Sequence, residues 1–252
     1  MFPKLRKTTH EERLRIAHLI SDRIVKKYRS NVLAVYICGS TSKKLDRPFS
    51  DLELNAVVRD LAEIPMKYYL HRGLIIHIQY LKSSSILDDA ERFTDNWHWA
   101  ADEYRNRIVL YEWDGWFRKL DAAVAKSDKA DSVEAIRKSF MMMTESMAVM
   151  RNAMLTKDRV RVLMSGRVLA EQAAGILLLL NRRYVTTTSW FWKIAFDLDK
   201  KPKDFKELVE KMCGFVPTTG EGVVASSERM YKEIYEIVRD HGVKIERDHL
   251  WV

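Results

Sequence analysis

The chain has 252 residues, of which 47% are hydrophobic and 31% are charged, with few Gly and Pro. This balance excludes disordered and fibrous proteins and predicts a folded protein with one large or two small domains. The formal net charge of +8 is spread along the chain without a basic tail. A solvated surface rich in Lys and Arg explains this charge as well as a polyanion-binding surface does, so nucleic acid is not the expected partner.

No stretch of the sequence predicts a membrane span or a secretion signal. The longest apolar block, around residues 173–180, is far shorter than a transmembrane helix, and residues 1–7 are not followed by an apolar signal region. The two cysteines, Cys38 and Cys213, have no metal-binding or redox spacing and are expected to be reduced. We therefore expect a cytoplasmic protein without a membrane partner.

The first predicted elements are a helix and two strands. Residues 8–29 begin with a capping signal and continue with apolar residues at helical spacing. Residues 33–38 form an apolar run, residues 39–49 are mostly polar, and an alternating pattern resumes in residues 50–58. These patterns predict a helix that packs on two strands joined by a polar turn.

The second of these strands carries two acidic residues on one face. Because side chains alternate along a strand, Asp51 and Glu53 lie on the same side, where their charges repel unless a cation lies between them. Mg²⁺ is the expected cation because it prefers carboxylate, water and phosphate oxygens, and Mn²⁺ can replace it. A solvated strand face is the alternative explanation for these two residues.

The turn before this strand suits a phosphate group. Gly39 lacks a Cβ and allows a close backbone approach, Ser40 adds a hydroxyl, and Lys43 adds a positive charge for phosphate oxygens. A Gly-Ser turn followed by Asp-x-Glu on the next strand is rarer than either dipeptide alone. The combination predicts a site for a nucleoside triphosphate and a divalent metal ion.

The following segments predict one more strand and a helical region. Residues 60–70 predict a short helix or an irregular crossing, interrupted by Pro65, and residues 74–81 predict a buried strand. A hydrogen-bonded core position is the simplest explanation for His77 on this strand. Residues 83–120 are rich in aromatic side chains and predict helices.

A charged connector at residues 126–131 predicts a domain boundary, so we expect domains at residues 1–127 and 128–252. The second part reads as helical throughout. Its predicted elements are helices at 132–154, 159–180, 203–214 and 226–241, an N-cap cluster at 186–189 and a loop at 220–222.

Glu145 is the candidate catalytic residue of the second domain. Its neighbours in the sequence are mostly Met and other apolar residues, and apolar surroundings raise the pKa of a carboxyl group, as a general base requires. The pattern alone does not distinguish this role from that of an ordinary surface Glu.

Together, these residues resemble the polymerase-β-like nucleotidyltransferase superfamily and, within it, the kanamycin (aminoglycoside 4′) nucleotidyltransferase family. The likeness runs nearly end to end. It rests on Glu11-Glu12-Arg13, Gly39-Ser40, Asp46, Pro48, Ser50-Asp51-x-Glu53, Glu145 with Arg151-Asn152, Thr187-Thr188-Ser189 and His241-Gly242.

The resemblance implies an α+β protein, in which an N-terminal nucleotidyltransferase α/β domain with a mixed sheet is followed by a C-terminal helical bundle. It also implies a homodimer with shared active sites. The roles that it assigns are metal binding for Asp51 and Glu53, general base catalysis for Glu145, and nucleotide binding for Gly39, Ser40, Lys43 and Thr187.

The implied reaction transfers a nucleoside monophosphate from a nucleoside triphosphate to a hydroxyl group and releases pyrophosphate. ATP is the expected donor, so AMP is the group transferred, with Mg²⁺ as cofactor. The expected acceptor is an aminoglycoside or another small molecule that carries a hydroxyl.

Two positions depart from the family pattern. His77 stands where the family commonly has a further acidic residue, and Val149 stands where it has a Lys. Imidazole is a poor Mg²⁺ ligand, so a non-catalytic nucleotide-binding or antitoxin-like module is an alternative. The basic chain and the apolar neighbours of Glu145 also leave open an acceptor other than a polycationic antibiotic.

Overall fold

The structure is a computed structural model that describes residues 4–246, and these residues divide into two compact units. The first unit holds the described residues up to Arg92 together with Ala100–Ala130 and Thr186–Thr188. The second holds Phe93–Trp99, Asp131–Val185 and the described residues from Ser189 onward. Residues 1–3 and 247–252, at the ends of the two expected domains, lie outside the described residues.

The first unit is built on a five-stranded mixed sheet with the strand order β3-β4-β2-β1-β5. Strands β2 and β4 are parallel, and the three other neighbouring pairs are antiparallel. The predicted α+β class with a mixed sheet is confirmed. The strands are β1 (Val32–Ile37), β2 (Leu52–Val58), β3 (Lys67–His71), β4 (Leu74–Lys82) and β5 (Ile108–Glu112).

Helices cover both faces of this sheet. On one face, Ala17 and Ile24 of the first helix pack over Leu52 and Leu54 of β2. On the other face, two later helices pack over β1 and β2. Because side chains alternate along β2, Glu53 faces away from the first helix. The helices are α1 (His10–Tyr28), α2 (Gly39–Ser42), α3 (Ser83–Glu91), α4 (Trp97–Arg105), which belongs to this unit from Ala100 on, and α5 (Trp116–Ser127).

The second unit is helical, and its two longest helices pack on each other and on the last one. Residues 173–180 are all buried and form a continuous part of its core. The helices are α6 (Val133–Leu155), α7 (Arg159–Leu180), α8 (Phe191–Phe196), α9 (Phe205–Met212) and α10 (Gly220–Asp240).

Helix α7 is long and apolar enough to cross a membrane by length and composition. However, 67% of its most apolar window is buried inside the protein, as in the core helix of a bundle. No other helix of residues 4–246 meets the same criterion.

Two secondary-structure predictions for the first unit are wrong. Residues 67–71 form the edge strand β3 rather than a helix or irregular crossing, because Arg72 and Gly73 adopt positive φ (49° and 82°) and turn the chain back onto β3's partner β4. Strand β5 lies inside the stretch predicted as helical. It forms because it pairs with β1, which lies about seventy residues earlier in the sequence. In this pairing Ile37 is opposite Ile108.

Two predictions for the second unit are also wrong. Helix α10 begins at Gly220 rather than near residue 226, because the side chain of Thr219 accepts a hydrogen bond from the Gly222 amide (3.1 Å) and caps the helix. Residues 186–189 do not cap α8. Its N-cap residue is Trp190, which makes no side-chain capping bond and ends a 3₁₀ turn at Thr188–Trp190.

Gly166 marks a close approach between α7 and its neighbours. A Cβ at this position would lie 2.6 Å from the Met212 carbonyl oxygen and 2.7 Å from Val223 Cγ1. We expect Gly166→Ala to lower the free energy of unfolding by about 1–3 kcal/mol, measured by urea denaturation, because overpacking displaces backbone. Gly220→Ala is the matched control, since no atom lies within 4 Å of its Cβ position. Equal effects of the two changes would contradict this packing.

His98 is 8% exposed and packs against Gly175 of α7. Burial lowers the pKa of His98 to about 4, although interactions with Asp95 oppose the shift. In the unfolded chain His98 therefore becomes protonated below about pH 6.5. In the folded protein it becomes protonated only near pH 4.

We expect His98 to make the protein less stable as the pH falls from 6.5 to 4, by about 3 kcal/mol across this window. Urea denaturation of the wild type and of His98→Asn at several pH values measures the effect as a difference. The variant should gain stability relative to the wild type as the pH falls. A difference that is constant with pH would show that His98 is not held neutral.

Candidate active site

A buried arginine fixes the loop that leads into the acidic strand. Arg13 of α1 is 1% exposed, and its guanidinium donates to Asp46 Oδ2 (2.9 Å), to the Arg47 carbonyl (2.6 Å) and to the Ser50 carbonyl (3.1 Å). His10 adds a bond from Nδ1 to the other oxygen of Asp46 (2.9 Å). These bonds hold both ends of the 46–50 loop, so they set the position of the next residue, Asp51.

Lysine cannot reproduce this three-way contact, because its ammonium group is a point charge rather than a planar fork. We expect Arg13→Lys to lower the free energy of unfolding by about 1–3 kcal/mol in urea denaturation, since hydrogen bonds to the loop are lost around a buried charge. Arg92→Lys is the matched control, because Arg92 pairs with Asp88 at the surface, where both side chains are more than half exposed. A change as small as that of the control would refute the role of Arg13.

Gly39 and Glu53 form the tightest contact of the site. Gly39 has φ +65°, and a Cβ there would lie 1.7 Å from Glu53 Oε2. The sequence suggested that the glycine makes room for a phosphate. In the structure, the carboxylate of Glu53 occupies that space, so both the backbone conformation and the contact require glycine at position 39.

Glu53 is held in an environment that disfavours its charge. Burial raises the pKa of Glu53 to about 7, the negative charges of Asp51 and Glu103 add to this effect, and Lys43 opposes it. The carboxylates of Asp51 and Glu53 make no hydrogen bond or ion pair with any other part of residues 4–246. Two unpartnered carboxylates that repel each other are the electrostatic setting that a bound cation relieves.

The donor set therefore fits a hard cation such as Mg²⁺ held by Asp51 and Glu53, with its other positions left to water and phosphate oxygens. Among the described residues, no group of three or more His, Cys, Asp or Glu side chains is arranged to hold a metal ion. A closed all-protein site of the zinc type is thus absent from this part of the chain.

Lys43 is already engaged in the structure. Its ammonium group contacts the Gly39 carbonyl and forms an ion pair with Asp102 Oδ2 of α4 (2.5 Å), and both side chains are about nine-tenths buried. Burial raises the pKa of Asp102, and the bond from Lys43 opposes the shift. Asn106 donates to the other carboxylate oxygen of Asp102 (2.8 Å). Lys43 thus braces α2 against α4.

Glu103, the residue after Asp102 on α4, is a second carboxylate beside the site. The amide of Asn55 on β2, which is 1% exposed, donates to Glu103 Oε1 and to the Tyr36 hydroxyl (3.1 Å). Burial raises the pKa of Glu103, and the bond from Asn55 opposes this. Besides burial, the negative charges of Asp51, Glu103 and Asp102 all raise the pKa of Glu53, and the positive charge of Lys43 opposes them.

The structure places His77 next to the acidic pair. In the parallel register of β2 and β4, His77 is the direct partner of Glu53. Its ring stacks on Tyr68 (4.1 Å between centroids), and Nε2 lies 2.8 Å from Met66 Sδ. Burial lowers the pKa of His77, and the charge of Asp51 opposes this. His77 thus lies half-buried at the open edge of the site rather than in the core.

The remaining predicted residues are found as follows. Ser40 lies in α2, and no partner for its hydroxyl is found among the described residues. Thr187 belongs to the short segment that groups with the first unit and is half-buried. Glu145 lies on α6 in the second unit and is exposed. The apolar surroundings expected for Glu145 are not a buried pocket, because Met141, Met142 and Val149 beside it are exposed as well.

Sequence reasoning missed Arg13, Asn55, Asp102 and Glu103 as parts of the site. A signal was present for Asn55, an amide inside an otherwise apolar strand, since buried polar groups need partners. The pair Asp102-Glu103 stands in an aromatic stretch and gave a weaker signal. Arg13 stands in the Glu11-Glu12-Arg13 motif of the family resemblance, but nothing else local distinguishes it from the other arginines of α1.

A family model described as KNTase C-terminal domain matches residues 114–244, which is 131 of the 252 residues. The chain belongs to this family. The matched residues of the KNTase family domain include Glu145 and Thr187 but not Asp51 and Glu53.

Known proteins resemble the chain beyond the KNTase family domain. Two relatives, each named aminoglycoside nucleotidyltransferase (4′) and found in Staphylococcus aureus and a Bacillus species, are 24% identical over 241 residues, which cover 93% of this chain and 93% of the relative. A nucleotidyltransferase-like protein from Exiguobacterium sibiricum has a solved structure that matches with a TM-score of 0.58 at 14% identity, over 93% of this chain and 81% of that one. The last likeness shows the fold alone.

Proposed function

We propose that the chain is a metal-dependent nucleotidyltransferase that moves a nucleoside monophosphate, AMP from ATP, onto a hydroxyl group of an acceptor and releases pyrophosphate. The observation that carries this proposal is the unpartnered pair Asp51 and Glu53, held beside Gly39 and Ser40 with the pKa of Glu53 raised to about 7. The names of the full-length relatives support the same reaction class.

Asp51 and Glu53 are the residues that would hold Mg²⁺, or Mn²⁺ in its place, and the ion would supply positive charge for the triphosphate. Ser40 presents its free hydroxyl to the β- and γ-phosphates from the start of α2. Lys43 would contribute its charge without a direct contact to the phosphates, because it is already paired with Asp102. Thr187 is proposed as a further contact to the nucleotide.

Glu145 is proposed as the general base. It would accept the proton of the acceptor hydroxyl as that oxygen bonds to the α-phosphorus and the bond from the α-phosphorus to the bridging oxygen breaks, so that pyrophosphate leaves. Its exposure on α6 keeps it accessible to an acceptor. Exposed apolar side chains on α6 and α7 support a homodimer in which they contact the partner subunit and the active sites are shared: Met142 (50% exposed), Met164 (59%) and Val168 (43%).

An aminoglycoside is the acceptor that we favour. The relatives carry this substrate class in their names. In addition, the negative charges of Asp51, Glu103 and Asp102 all act on Glu53, and a polycation is attracted to such an acidic site. The net charge of the whole chain, +8, does not describe this local acidic site.

A non-catalytic nucleotide-binding module is the second candidate. The observation that favours it is His77, which lies in register with Glu53 where the family resemblance implies an acid. This candidate predicts that the protein binds nucleotide but does not turn it over. A cytoplasmic location is proposed for either function.

Asp51→Asn tests the metal assignment. We expect at least a 100-fold loss of pyrophosphate release from ATP, since loss of an outer partner of a metal site already costs about 10–100-fold. The assay contains Mg²⁺ or Mn²⁺, with ATP or GTP, and is run with and without kanamycin.

The exposed Asp22→Asn on α1 is the matched control and should keep full activity. Retention of activity in Asp51→Asn would overturn the assignment. Nucleotide binding by the wild type without any release would favour the non-catalytic module, and release that does not depend on kanamycin would point to another acceptor.

A further inference from the structure

A groove opens on the face of the sheet opposite to Glu53. It lies between α1 and the β3–β4 edge and encloses about 640 Å³. Helix α1 packs mainly on β1, β2 and β5, so it leaves the outer part of β4 and the edge strand β3 uncovered. The buried side chains of Ile76 and Ile78 form the floor, and α1 and β3 form the two walls.

The walls of this groove are strongly basic. Six lining side chains are Arg or Lys, and among the described residues that line it the only acid is Glu12, which Arg6 already binds through two bonds (2.6 and 3.1 Å). Arg23 on the helix wall and Lys67 on the strand wall make no hydrogen bond or ion pair with the rest of residues 4–246. Cations on both walls without acidic partners repel one another and attract a polyanion.

Aromatic rings lie among these cations. Tyr28 of α1 and Tyr80 of β4 meet edge to face at 5.6 Å between centroids, and Tyr69 of β3 is 45% exposed on the strand wall. A basic groove with an exposed aromatic ring suits single-stranded nucleic acid, because phosphates pair with the cations while a base stacks on the ring.

We propose that this groove binds a segment of single-stranded nucleic acid. The cations of the helix wall run from Arg15 to Lys27, which spans about 18 Å at 1.5 Å per residue, so they extend over several phosphates rather than one. An acidic peptide would pair with the cations of the groove but would have no base to stack on the exposed ring of Tyr69. A mononucleotide would use only part of the wall.

The groove is separate from the candidate active site. Leu52, Ile76 and Ile78 face α1 and the groove side, whereas Glu53 and His77 on the same two strands point to the other face. A nucleic acid bound in this groove is therefore not the acceptor of the proposed transfer. Binding in the groove can be measured without catalytic activity, so it is tested independently of the proposed transfer.

The test measures fluorescence anisotropy of a labelled oligo(U) or oligo(dT) of about 15 nucleotides, titrated with the full chain. We expect a dissociation constant in the micromolar range at about 50 mM salt, since non-specific binding is typically this weak. The logarithm of the binding constant should fall with the logarithm of salt concentration with a slope of about −2, as for three neutralised phosphates of a single strand.

Variants separate the groove from general positive charge. The double variant Arg23→Glu/Lys67→Glu, one residue on each wall, should weaken binding at least about tenfold and flatten the salt slope by about 1.4. Arg183→Glu/Lys232→Glu changes the net charge by the same amount at exposed positions of the second unit and should change binding less than about twofold. Urea denaturation of each variant checks the fold, and Arg23→Gln/Lys67→Gln replaces the reversal if it does not fold.

The role of the rings is tested at Tyr69. Tyr69→Ala should weaken binding about fivefold or more, and Tyr69→Phe, which keeps the ring, should retain it within about twofold. Loss in both variants would overturn the stacking contact and with it the choice of nucleic acid.

Three further results would overturn the proposal. The first is no binding at about 50 mM salt. The second is an equal loss in the groove variant and in its charge-matched control, which would show that general positive charge binds the oligonucleotide. The third is displacement of the oligonucleotide by polyglutamate or by ATP as effectively as by the unlabelled strand, which would make the groove a site for acidic peptides or mononucleotides.

Discussion

The buried guanidinium of Arg13 is the contact on which the active-site geometry depends. It binds one carboxylate and two carbonyl groups of the 46–50 loop, so the buried charge of Arg13 is paired with the buried carboxylate of Asp46 and hydrogen-bonded to the chain on either side. Burying a charge is favourable only when it is paired and hydrogen-bonded in this way. Because α1 also packs on β2 through Ala17 and Ile24, one helix orients both the loop and the strand that carry the acidic pair.

The sheet separates two surfaces of opposite charge. Glu53 and its acidic neighbours lie on one face, where burial and mutual repulsion raise the pKa of Glu53. The basic groove beside α1 lies on the other face. The alternation of side chains along β2 and β4 is sufficient to produce this separation, since neighbouring residues of a strand point to opposite sides. The net charge of the whole chain conceals both surfaces.

The internal contacts of the site explain which residues are free to act. Lys43 is bound to Asp102, and Asn55 is bound to Glu103, so these four residues hold α2 and α4 against β2. Asp51, Glu53 and the hydroxyl of Ser40 have no partner in the described part of the chain. Hydrogen-bonded residues thus surround a few unpartnered oxygen atoms, as expected of a site that binds a cation and a phosphate chain.

The sequence determined the local parts of this protein: α1, β1, β2, β4 and the long helices of the second unit, the Gly-Ser turn, and the acidic pair on β2. Each of these follows from periodicity, capping or alternation within a short window. Only the tertiary structure decided the edge strands β3 and β5, the neighbours of Glu53 and the exposure of Glu145. The reason is that these features rest on contacts between distant residues, such as the 59 positions between Lys43 and Asp102, which no local pattern encodes.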